Sequence, residues 1–129
     1  MKARNVKAIL DSAEAKCNFS LYRVSRFLQP SILLFLSRGA SHGYELIDKL
    51  RELGFHKESV DVGAVYRTLR KLEKEGFVKS EWVKRARRRK RVYRITPSGK
   101  TLCRMWIKRI KERKRALEKF LDLCKYTRI

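Results

Sequence analysis

At Gly76 the apolar residues of this chain change their pattern. Before it, Val62, Val65, Leu69 and Leu72 fall at steps of three and four, the spacing that gathers them on one face of a helix. After it, Phe77 to Val83 is a short run rich in β-branched and aromatic residues, which reads as a strand. A glycine at such a junction is a helix stop. What lies on either side of it decides the fold.

Upstream, Pro30 suits the first turn of a helix that buries Ile32, Leu33, Phe35 and Leu36 and ends near Gly39. Ser41 is placed to cap a second helix, in which Tyr44, Ile47 and Leu50 recur with Leu46 and Leu53 until Gly54. Asp61 holds the N-cap position of the third helix, expected over residues 61–76. Downstream, Val92 to Thr96 reads as a second strand, joined to the first by a mainly basic connection as an antiparallel hairpin. Thr96-Pro97 is a helix start, and a long helix is expected to about Lys125. Three helices followed by a two-stranded ribbon is the order of a winged helix-turn-helix. The expected fold is therefore mainly α with a small antiparallel β-hairpin and a long C-terminal dimerisation helix. Residues 1–29 are expected to form an N-terminal helical extension, 30–96 the winged helix-turn-helix domain and 97–129 the terminal dimerisation helix.

Charge says what such a fold would meet. The chain carries a net +21 with a sequence pI near 10.6, and residues 82–111 hold thirteen Lys and Arg with no acid. Trp82, Val92, Tyr93, Ile95, Trp106 and Ile110 are interleaved among them, which a disordered basic chain would not show. Such a balance favours a polyanion, with nucleic acid the first candidate and an anionic membrane surface the second. The longest apolar run, Ile32 to Leu36, is far short of a spanning helix, and no signal-peptide core is present, so a cytoplasmic, nucleoid-associated protein is expected. Three widely spaced cysteines and two histidines give poor support to a disulfide framework or a zinc site. With no phosphate-cradling glycine loop, nucleophile elbow or His-Glu zinc helix, neither an enzyme nor a cofactor is expected.

The third helix turns Gly63, Tyr66, Arg67, Arg70, Lys71 and Lys74 away from its apolar face. These suit a DNA groove: a close backbone approach at the glycine, an aromatic hydroxyl, and guanidinium forks for guanine or phosphate. They suit equally the solvated face of a surface helix. The connection 84–91 reads as the wing, with a phosphate-binding tip from Arg85 through Arg87, Arg88, Arg89 and Lys90, anchored by the strand from Arg91 to Arg94. Phosphate contacts carry affinity and base contacts carry specificity, so specificity is expected from the helix.

In the last helix Cys103, Trp106, Ile110, Arg113, Leu117, Phe120 and Cys124 alternate steps of three and four, the seam of a helix pair. Two readings stand: the seam meets a second copy, or it packs back onto its own domain. Arg113 costs stability at a seam unless an acid pairs with it. Two-fold symmetry would set two recognition helices about one DNA turn apart, over a palindromic site. Near the N-terminus Val6, Ile9, Leu10, Ala13 and Cys17 fit one helical face, which either extends the dimer contact or belongs to a loose terminus.

Three stretches in order, "SHGYELIDKL" from Ser41, "VGAVYRTLRKLEKEGFVKSEW" from Val62 and "RVYRITPSGKTL" from Arg91, resemble the PadR family of transcriptional regulators. The resemblance covers roughly residues 27–104. It implies a dimeric winged-helix protein that binds double-stranded DNA, usually as a repressor and often released by a small-molecule effector. It also implies that Tyr66, Arg67 and Arg70 enter the major groove, that His42, Gly43 and Tyr44 hold the helix-turn-helix together, and that Tyr44 lies near the DNA backbone. A pocket lined by Trp106 for an effector follows from analogy alone, beside plain packing of that ring. Two departures from the family pattern bear on the site. Asp61-Val62-Gly63-Ala64 stands where members commonly carry Ser-Pro-Gly-Thr, and the wing tip carries Arg and Lys where a glycine is usual. The expected function is a sequence-specific regulator, and the alternative is a less specific architectural or RNA-binding winged helix.

Overall fold

A computed structural model describes residues 24–53, 61–85 and 87–129. The expectations for residues 1–23 and for the stop at Gly54 lie outside these. The elements are α1 (Val24–Arg38), β1 (Ser41–His42), α2 (Gly43–Glu52), α3 (Val62–Lys74), β2 (Val78–Arg85), β3 (Arg88–Ile95) and α4 (Pro97–Cys124). The three short helices stack their apolar faces into one core: Leu28, Ile32 and Leu33 from α1, Leu46 and Leu50 from α2, and Val65, Leu69 and Leu72 from α3 are all at most 1 % exposed. Full burial of each such side chain contributes about 1.5–3 kcal/mol. Val62, expected on the same face of α3, is 42 % exposed in the first turn of the helix.

Pro30 does not start α1 but lies inside it, buried. Proline has no N–H to give to the carbonyl one turn earlier, and the helix nonetheless continues upstream, bringing Leu28 into the core. The domain core thus reaches back past residue 30. Ser41 is likewise not the cap of α2. His42 caps it, its Nδ1 accepting from the Glu45 amide at 3.5 Å, while the buried Ser41 hydroxyl donates to Glu45 Oε2 at 2.9 Å. Ser41 is taken up by a strand: β1 pairs antiparallel with β3, Ser41 opposite Tyr93 and His42 opposite Val92. The ribbon is therefore a three-stranded sheet in the order β1-β3-β2.

Local signals elsewhere hold. Asp61 Oδ1 accepts from the Ala64 amide and Thr96 Oγ1 from the Gly99 amide, capping α3 and α4. Gly76 ends α3 with φ +83°, and the amides of Gly76 and Phe77 return to the carbonyls of Glu73 and Leu72. That is the Schellman closure, which needs a residue free to turn left-handed, and it sends Phe77 directly into β2.

The hairpin differs most from expectation. Instead of a basic loop over 84–91, the two strands stay in register as far as Arg85 opposite Arg88, with Arg87 in a turn before β3. Pairing of consecutive amides extends a ribbon whatever its side chains, and nothing in Lys or Arg forbids a strand. The wing is thus mostly strand, and the stretch from Arg88 to Arg91 belongs to β3.

Candidate nucleic-acid interface

Gly43 and Tyr66 join the first helix of the pair to the second. A Cβ on Gly43 would lie 2.5 Å from the Tyr66 hydroxyl, so any other residue at the start of α2 would push this ring aside. The partly buried phenol has its pKa raised, through burial first and then the neighbouring Tyr44 and Tyr93 hydroxyls. It is therefore a neutral donor at physiological pH. Tyr44 stands beside it, 71 % exposed.

Along α3 the side chains expected to face outward do so. Arg67, Arg70, Lys71 and Lys74 are exposed and Gly63 is partly covered in the first turn. Arg67 already has a partner, its Nη2 3.6 Å from Asp61 Oδ2. The acid that caps the helix thus also holds one of its outward guanidinium groups at the end that would meet an anion.

Alternation along the ribbon places Ser80 and Trp82 of β2 on one face with Arg89, Arg91 and Tyr93 of β3. The buried Tyr93 marks this face as the one turned to the helices. Its phenol is also pushed up, chiefly by burial; the Arg91 and Arg70 charges act in the opposite direction and the Glu73 carboxylate adds to the rise. Trp82 is 58 % exposed, with the guanidinium carbons of Arg89 and Arg91 at 5.7 and 5.8 Å from its ring centre. Between this face and α3 runs an open groove of about 640 Å³, lined by Tyr44, Tyr66, Arg70, Trp82 and Arg88 through Arg91, with His42, Gly43 and Tyr93 at its base.

The cations divide into two sets. Arg91 pairs with Glu73 at 2.8 Å and Arg94 with Glu81 at 3.0 Å. Among the described residues no acid lies within ion-pair distance of Arg87, Arg88, Arg89 or Lys90. Lys84 instead faces Arg89 directly across the ribbon. Like charges so placed repel, and an anion laid over them would relieve the repulsion. Of the expected residues, Tyr44, Tyr66, Arg70, Arg88, Arg89, Lys90 and Arg91 thus share one groove, while Gly63, Arg67, Lys71 and Arg87 lie outside its lining and the side chain of Arg85 lies outside the described residues. Sequence reasoning left out Trp82 and Tyr93, and gave His42 and Gly43 a role only within the helix-turn-helix. For Trp82 the signal was there, a tryptophan in a strand beside a basic run, but only the register opposite Arg91 puts it in the groove.

The seam of α4 splits in two. Cys103 is 5 % exposed in the chain's own core, and Trp106 packs against that core with Nε1 donating to Gln29 Oε1 at 2.8 Å. Cys103 therefore has almost no surface left to offer a second copy. Beyond it Ile110, Leu117 and Phe120 are 39, 50 and 62 % exposed, Arg113 is exposed and Cys124 partly covered.

The model of the family described as "Transcriptional regulator PadR-like family" matches residues 32–104. No curated protein matches the chain. Among solved structures, a transcriptional regulator from Clostridium thermocellum is 28 % identical at a TM-score of 0.66, covering 73 % of this chain and 89 % of that one. A conserved protein of unknown function, described as a potential transcriptional factor, is 33 % identical at 0.71, covering 81 % and 92 %. Bacillus subtilis PadR, solved in complex with operator DNA, is 29 % identical at 0.56; the match spans 64 % of this chain but 47 % of that one.

Proposed function

The chain belongs to the PadR-like family of transcriptional regulators, and on that premise we propose that it is a sequence-specific repressor acting as a homodimer on double-stranded DNA. At the coarser level it is a DNA-binding transcriptional regulator, from a family of regulators rather than enzymes. One observation supports the finer reading: Tyr66 and Arg70 of α3 line the same groove as Arg88, Arg89 and Lys90 of the wing, which have no acidic partner among the described residues. α3 enters the major groove with Tyr66, Arg67 and Arg70 toward base edges, and the wing lays Arg87, Arg88, Arg89 and Lys90 on the adjacent backbone or minor groove. Tyr44, beside Tyr66, reaches a phosphate.

The far half of α4 supplies the dimer. At 1.5 Å per residue its 28 residues make a rod of about 42 Å, and Ile110, Leu117 and Phe120 present apolar surface after the rod leaves its own domain. Two copies joined there would present two α3 helices to one duplex. A small-molecule effector is compatible with this plan, though the Gln29 bond makes Trp106 a packing residue first.

A competition titration at physiological salt, with promoter duplex against random duplex and structured RNA, tests the reading. Preference for the promoter is the expected result. Equal affinity for promoter and random duplex, with steep salt dependence, would establish the less specific architectural or RNA-binding role that the wing's charge also suits.

A further inference from the structure

Arg91 lies in the most basic run of the chain, yet its guanidinium is already committed. Its Nη2 donates to Glu73 Oε1 at 2.8 Å and its Nε to the Ser80 hydroxyl at 2.8 Å, while that hydroxyl donates to the other oxygen of Glu73. Both carboxylate oxygens and two guanidinium nitrogens are consumed in one closed ring of three side chains. Glu73 sits in the last turn of α3, Ser80 in β2 and Arg91 in β3. Among the ion pairs of the described residues this one alone ties α3 to the sheet.

We propose that Glu73, Ser80 and Arg91 are positioning residues that fix the wing relative to the recognition helix, and that Arg91 is not itself a phosphate ligand. The proposal rests on the DNA-binding reading above and names how its two halves are kept in one geometry. The ring is well placed for this. Below it the ribbon is anchored by Val78 and Tyr93, both 2 % exposed; beyond it, from Trp82 to the turn, none of the described side chains belongs to the core. The ring therefore sits at the last point where α3 can hold the wing. Arg91 also lies 5.7 and 5.8 Å from the ring centres of Tyr93 and Trp82, so the guanidinium that meets the helix orients the tryptophan in the groove as well. The fork geometry matters: an ammonium at this position could not reach the carboxylate and the hydroxyl along fixed, divergent directions. With Glu73 and Arg91 partly exposed, the pair adds little to global stability, and its effect is on geometry.

The test uses the full chain with Glu73→Gln, Arg91→Ala and Arg91→Lys, read in two ways. Without DNA, amide ¹⁵N order parameters over residues 82–90 should resemble the core, about 0.85, in the wild type and fall toward about 0.6 in all three variants. Unchanged values in the variants would overturn the proposal whether or not the protein reads DNA. With a duplex selected by the wild type and a random duplex, each variant should lose about tenfold in preference while the slope of log K against log salt stays constant. If Arg91 is instead a phosphate ligand, Arg91→Ala lowers that slope by about 0.9 and Glu73→Gln tightens binding to both duplexes, which also overturns the proposal. A wild type with no preferred duplex would count against the DNA-reading function and leave the order-parameter arm to decide the ring.

Discussion

The recognition helix and the wing face the same groove but are held in opposite ways. α3 lies on three residues with no exposed surface, Val65, Leu69 and Leu72, is capped at both ends by short-range bonds, and has its first outward arginine paired with Asp61. The wing leaves the core after Tyr93, faces Lys84 with Arg89, and carries four cations with no acid within reach among the described residues. A helix seated firmly on the core suits the reading of base edges, which demands fixed donor positions; a cationic ribbon with few acidic partners suits phosphate, which demands charge. The two regions should therefore fail differently when altered.

The largest effect is expected under the helix. Leu69→Ala should cost about 2–5 kcal/mol, measured by the denaturant midpoint, because the cavity it leaves is closed on all sides. Replacing Arg87, Arg88 and Arg89 together by Ala should cost no stability, yet weaken binding to every duplex and lower the salt slope by about 2.7 per chain. A selective loss for one sequence would mean that the wing reads groove shape and would blur the division. Arg67→Ala should reduce discrimination by about 1–3 kcal/mol in a specific-against-random titration, with a smaller change in the salt slope. Asp61→Ala should lose about 1 kcal/mol of stability with the cap while binding DNA at least as well, since it removes an acid and frees Arg67. Weaker binding with the fold intact would show that Asp61 positions that arginine for its contact.

The smallest effect is on pH. Tyr66 and Tyr93 hold their protons above about 10, the value expected in the unfolded chain, so the folded state binds more protons at alkaline pH. Their contribution is complete below pH 10 and is lost as pH rises through the folded values, so the denaturant midpoint should fall on the alkaline side. Tyr93→Phe should flatten that fall.

Much of the helical frame is legible from neighbouring residues alone. Asp61, Gly76 and the Thr96-Pro97 pair act within four residues of themselves, and each marks its boundary where the sequence suggests. What escaped depends on distant partners. Ser41 reads as a cap until β3 comes alongside and makes it a strand, which shifts the cap to His42. Pro30 reads as a start because the residues that carry the helix upstream have no strong period. The basic run reads as a loop because its composition says nothing of the register that extends pairing to Arg85 and Arg88. The same register brings Arg91 to Glu73, so a residue that composition assigns to phosphate is already engaged with an acid eighteen positions away. The α4 seam looks continuous in sequence and is divided in space because its first half packs against its own domain, where Trp106 bonds to Gln29 of α1.

In vitro selection of bound duplexes from random DNA tests the central claim most directly. A rigid reading helix presented twice by a two-fold dimer predicts enrichment of a palindrome whose half-sites lie about 10 base pairs apart. Recovery of duplexes with no shared sequence would contradict it, and would make the charge of the wing the whole of the binding.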